Sequence, residues 1–232
     1  MRTLKILSLA IATLFALPAA AQEKPQPKPV PAEAPRKTTA ASPTVIIIQK
    51  PCYPMTTCVA CGKPLPEKPV EYVKDGRLYR LDSDACQAAV DADAAAMKKK
   101  IDAAVIAQQK AKYPLKTSVV SGQELGATAV DHVYGTRLVR LADKDAVAAF
   151  DKDPKSAMAK VDAAYVKAQT AAYPLKTCIV SGEELGGMGE AYDKLYGTRL
   201  VRFCCSSCTE SFEKDPAPYW KKLDDAKKPA TK

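Results

Sequence analysis

The chain has one histidine in 232 residues, His132, and that scarcity excludes more than any motif establishes. A cysteine nucleophile needs a histidine base beside it. His132 falls in a stretch that carries no cysteine and reads as an ordinary loop residue, so a cysteine-protease arrangement is excluded. No glycine-rich loop of the phosphate-cradling kind is present, and no run approaches the ~18 consecutive apolar residues of a membrane span. The mature chain is therefore expected to have no transmembrane segment. Aromatic residues do not interleave with a basic cluster. The formal charge of +9 is spread over stretches such as KKKIDAA and KVDAAYVKAQ, where lysine alternates with aspartate, and nucleic-acid binding is not expected. The carboxylates read as helix caps and solvated faces. With no catalytic constellation left, the chain reads as a non-enzyme.

What is present begins with a leader. Arg2 and Lys5 precede an apolar run from Ile6 to Leu17 and small residues at Ala19, Ala20 and Ala21, the pattern of a secretory signal peptide over 1–21. No cysteine lies near the cleavage point to accept a lipid, and a periplasmic or secreted protein is expected. Residues 22–44, rich in proline, lysine and alanine, read as an extended linker. Val45–Ile48 is a short β-branched run, and its composition predicts an edge strand or tether on the first folded unit.

Internal repetition organises the rest. Tyr53, Tyr113 and Tyr173 each open a Tyr-Pro segment, and YPLKTSVVSGQELG is nearly repeated as YPLKTCIVSGEELG. The implied fold is α+β: three tandem small units over 45–112, 113–172 and 173–228, each a β-hairpin followed by one or two helices. In the third unit a short strand at Thr177–Val180 leads through a glycine turn and a loop to a second strand at Arg199–Phe203. Apolar residues at helical spacing, among them Val90, Ile101, Val105, Phe150, Val161, Tyr165, Phe212 and Leu223, are read as core. Asp153-Pro154 and Asp215-Pro216 predict that a second helix starts there. The alanine-rich tails to Lys112 and Ala172 read as rigid spacers. Units of this size usually need a metal, disulfides or neighbours.

The eight cysteines gather in the first and third units. Cys178 ends the first strand of the third unit, and Cys204, Cys205 and Cys208 lie where the second strand enters the helix. Cys204 and Cys208, four apart, are placed on one face of the first helical turn, where a helix N-terminus is expected to lower thiol pKa. Three converging thiolates make a soft site.

Phe203-Cys204-Cys205-Ser206-Ser207-Cys208, with Phe212, Asp215-Pro216 and Tyr219, resembles the FC-x3-C signature of the YHS/TRASH-like heavy-metal-binding modules. That resemblance implies small treble-clef-like units that bind or sense soft metals through cysteines. It covers the third unit well, the first in part and the second only as fold. The third unit keeps Cys178 but has Ser181 where a second strand cysteine often stands. The first has Cys58, Cys61 and Cys86, with Asp82 at the position of the FC cysteine. The second has Ser118, Ser121, Ala142 and Ala146 at all four places, which excludes the same metal chemistry.

The candidate ligands are thus Cys178, Cys204 and Cys208, with Cys205 spare or substituting and Met188 as a weaker thioether candidate, and Cys58, Cys61 and Cys86 with Asp82 or Cys52. Three thiolates suit Cu(I), and four ligands including a carboxylate suit Zn(II). CVAC has thioredoxin spacing only, and Gly62 stands where a haem-attachment site needs histidine. The functional expectation is an exported soft-metal-binding protein for buffering, handover or sensing. The alternative is a disulfide-held envelope scaffold whose linker reaches a protein partner, because an even number of cysteines outside the cytosol also fits paired thiols.

Overall fold

Glycine turns build three hairpins. The computed structural model describes residues 42–187 and 189–228; the signal-peptide segment, most of the linker and Met188 lie outside the described residues. Strands β1 (Val70–Lys74) and β2 (Arg77–Leu81) pair antiparallel, as do β3 (Val130–Tyr134) with β4 (Arg137–Leu141) and β5 (Tyr192–Tyr196) with β6 (Arg199–Phe203). The first turn is Asp75-Gly76, with φ of 50° and 71°, the double left-handed conformation that suits strand twist. Gly135 and Gly197, at 62° and 65°, take the first turn position in the other two.

The hairpins do not use the strand expected at Thr177–Val180. That segment makes only an isolated bridge, Thr177 to Glu184, matched by Thr57 to Pro64 and Thr117 to Glu124. The glycine turn closes too soon for a ladder, since the N–H of Gly182 returns to the carbonyl of Cys178 at 3.0 Å. The first hairpin strand instead comes from VEYVK, VDHVY and YDKLY. His132 is thus a strand residue, packed 5.1 Å from Phe150 between ring centroids.

Two helices follow each hairpin: α2 (Ala85–Ala92) and α3 (Ala94–Gln109), α4 (Lys144–Lys152) and α5 (Pro154–Thr170), then α6 (Cys208–Lys214) and α7 (Ala217–Ala226). Asp93 and Asp153 mark the breaks, each accepting from a backbone N–H three residues on, Ala96 at 2.9 Å and Ser156 at 3.1 Å. The apolar faces of these helices close on the hairpins. Leu78, Leu81, Val90, Ile101 and Val105 are fully buried in the first core, Leu141, Phe150 and Val161 in the second, and Tyr196, Phe203, Phe212 and Leu223 in the third.

The long helices are not spacers. α3 and α5 each carry, in the last turn, a glutamine that seals the turn of the next hairpin. Gln109 Nε2 donates to the carbonyl of Thr136 at 2.8 Å while its Oε1 accepts from Leu138 N–H at 2.9 Å. Gln169 does the same at Thr198 and Leu200. An unpaired buried peptide group costs about 1–3 kcal/mol, so each amide secures two such groups at once.

For the first hairpin that glutamine is Gln49, bonded to Gly76 and Leu78, and it sits on a helix, α1 (Pro43–Gln49). The expected strand or tether at Val45–Ile48 is therefore helical, and Pro43 and Thr44, assigned to the linker, belong to the same helix. Tertiary packing overrides β propensity here: Ile46 packs on the first core and Ile47 on the third. The end of α1 and the residues that follow it bind the other two hairpins as well. Thr136 Oγ1 donates to the Gln49 carbonyl at 3.0 Å, and Thr198 N–H donates to Cys52 Sγ at 2.7 Å. A side chain at Gly197 would overlap Cys52 Sγ, so that contact is close. The three hairpin turns thus meet around one N-terminal segment.

Candidate metal centres

Each candidate centre is assembled from a tight loop and the start of a helix. The loop is shaped by the backbone: Cys58 N–H donates to the Lys63 carbonyl at 2.7 Å, and Cys178 N–H to that of Glu183 at 2.6 Å. Cys58 and Cys178, almost wholly buried, are held beneath the hairpin. The long helix holds the loop from outside. Lys100 Nζ donates to the Val59 carbonyl at 3.3 Å, as Lys222 does to Ile179. Those lysines read in sequence as solvated; only their recurrence at equivalent positions distinguishes them.

In the first centre Cys58, Cys61, Asp82 and Cys86 each bring one ligand atom, all within 4.8 Å of one another. Asp82 Oδ1 accepts from Cys61 Sγ at 3.2 Å and from Cys86 Sγ at 3.0 Å. Cys52 is not part of this group, because its sulfur is engaged at Thr198. In the third, Cys178, Cys204 and Cys208 meet the same criterion. Cys204 and Cys208 lie 3.7 Å apart, and Ser181 Oγ stands 3.4 Å from Cys204 Sγ. Cys205 touches two of the three sulfurs, at 3.8 Å from Cys204 and 3.9 Å from Cys208. The cysteine–aspartate pair of the first centre is thus a serine–cysteine pair in the third, and each centre keeps three sulfurs.

Cys204 follows β6 directly and Cys208 is the first residue of α6, so the two do not share a helical turn; a strand end and a helix start face each other. Nor does the helix start lower the pKa of Cys208 itself. Burial pushes Cys208 up, helped by hydrogen bonds with Cys204 and Cys178, to about 12. The hydrogen bond to Asp82 raises Cys86 to about 12 as well, and the thiols of Cys86 and Cys61 in turn hold Asp82 down at about 2. The more easily ionised thiols are Cys205, which the Ser207 hydroxyl and the Cys208 N–H lower, and the two buried loop ones. Burial opposes ionisation of Cys178, but hydrogen bonds from the Ser181 side chain and from the N–H groups of Ser181, Cys204 and Val180 outweigh it and bring the thiol to about 6. Cys58 is lowered against the same opposition by N–H groups of Cys61, Asp82 and Ala60. Donors converging on one sulfur favour its thiolate, the form that binds metal.

All eight cysteines are unpaired, and no disulfide is formed. Two cysteine-rich groups could therefore hold a metal ion. The second hairpin has the same loop with Lys160 on the Val119 carbonyl at 3.2 Å, but Ser118, Ser121, Ala142 and Ala146 stand in place of the ligands. No helix among the described residues is long and apolar enough to cross a membrane. No family model, curated protein or solved structure matches the chain.

Proposed function

We propose that this is an exported protein that binds soft metal ions at two centres, for buffering, handover or sensing, with no enzymatic role. The observation that carries the reading is the convergence of ligand atoms, within 4.8 Å of one another, at equivalent places on two hairpins that are far apart in sequence. Sulfur-rich sets with one optional oxygen suit Zn(II) and Cu(I) over hard cations. The likeness of the third unit to YHS/TRASH-like modules, and of each unit to a treble clef, agrees with that chemistry, and the leader pattern over 1–21 supports export.

Metal analysis and thiol titration of protein purified without oxygen test the proposal. We expect two ions per chain, one for each ligand group, with all eight thiols reactive after chelation and denaturation. Protein that carries no metal and has no reactive thiols even in denaturant would instead be the disulfide-held scaffold.

A further inference from the structure

The two centres differ in one respect that ligand counting passes over. Next to the third centre stands a fourth thiol, Cys205, half-buried where Cys178 is fully buried. It lies within 4 Å of Cys204 and Cys208, and Ser207 Oγ contacts its sulfur at 3.0 Å. Cys205 is not among the three mutually close sulfurs. The equivalent position in the first unit is Ser83, which is exposed. The first centre therefore has no thiol beyond its own ligand set: the exposed sulfur there, Cys61, is one of the four converging groups.

Resting on the metal-binding reading above, we infer that the third centre exchanges Cu(I) with other thiols or carriers through Cys205 as an entry ligand, while the first centre retains its ion. A d¹⁰ ion bound by sulfur moves by associative exchange, in which a new metal–sulfur bond forms before an old one breaks. Cys205 Sγ gives up its proton to solvent as it bonds Cu(I), and the donor's bond to the ion breaks. Bonds to Cys204 and Cys208 then form across less than 4 Å, followed by the bond to Cys178, each thiol releasing its proton to solvent as its sulfur bonds the ion. Finally the bond to Cys205 breaks and its thiol regains a proton. The oxidation state of the ion does not change, and the reverse order releases it. In the first centre Ser83 offers no sulfur for the opening step, so exchange there must displace a resident ligand first.

Stopped-flow transfer of Cu(I) from its bicinchoninate complex to the full-length chain, without oxygen, tests this. The Cys204→Ser, Cys208→Ser chain, which keeps the first centre intact, supplies the background. Cys205→Ser is expected to leave the number of ions bound unchanged and to slow transfer at the third centre roughly tenfold, a size typical of groups just outside the ligand set. Ser83→Cys, which touches nothing in the third centre, is expected to speed exchange at the first, and it decides the matter if Cys205→Ser unfolds. Wild-type uptake no greater than the background would overturn metal binding by the third centre itself. Normal uptake with unchanged rates in both variants would overturn only the relay. Loss of the ion from a folded Cys205→Ser chain would also overturn it, by making Cys205 a resident ligand.

Discussion

The loop of the second hairpin and the loops of the first and third share one backbone and differ in what fills it. Ser118 N–H donates to Gln123 at 2.8 Å and Gly122 N–H to Ser118 at 2.8 Å; the corresponding pairs are 2.7 and 2.8 Å at Cys58 and 2.6 and 3.0 Å at Cys178. The loop's shape thus follows from its glycine turn and bridge, whether or not sulfur is present. What changes is the space between strand end and helix start. In the second unit, buried Ala142 and Ala146 fill it, and Asp143 caps α4 by accepting from Ala146 N–H at 2.8 Å. Helices α2 and α6 begin without a side-chain cap, at the point where Cys86 and Cys208 bring sulfur. A cap and two methyl groups in one unit thus stand where candidate ligands stand in the others.

If the comparison is right, its two sides can be interchanged. Ser118→Cys, Ser121→Cys, Ala142→Asp and Ala146→Cys together copy the first centre onto the second hairpin. The engineered chain is expected to bind one more ion than the parent, and an affinity on the order of 10 kcal/mol would be ordinary for a sulfur-rich zinc site. Binding that stays at the parental number in a folded chain would mean that the shared backbone does not present ligands. A smaller effect is expected from Asp143→Ala, which removes the cap that only the second unit has. It should lower stability to denaturant by about 1 kcal/mol without altering metal content. A fall in metal content would show that the second unit participates in binding.

Much of this arrangement was legible in the amino-acid sequence, because the Tyr-Pro segments recur at fixed spacing and bring the same apolar residues, Val90, Phe150 and Phe212, to the same place. The first hairpin strand was not, because in VEYVK, VDHVY and YDKLY charged residues interrupt the apolar ones and no strand is long. The more apolar Thr177 segment therefore reads as the partner of Arg199–Phe203. Gln49, Gln109 and Gln169 were overlooked for a different reason. A glutamine near the end of a helix ordinarily faces water, and nothing in its neighbours reveals a hairpin turn waiting for both amide atoms; the 60-residue recurrence was the available signal. Cys52 shows the limit of reading ligands by proximity in sequence. It lies six residues before Cys58, yet its sulfur accepts the N–H of Thr198, 146 residues away. Among the candidate ligands, Cys58, Cys61, Asp82 and Cys86 come together, as do Cys178, Cys204 and Cys208, because strand end, loop and helix start are brought to one point by each hairpin.

On this proposal two separate centres, one on the first unit and one on the third, hold metal on a common scaffold. Native mass measurement of the Cys204→Ser, Cys208→Ser double variant, beside the parent and both purified without oxygen, tests it most directly. The variant is expected to lose one ion and keep the ion of the first centre, with its fold unchanged by circular dichroism. Loss of both ions together, or of neither, would contradict it.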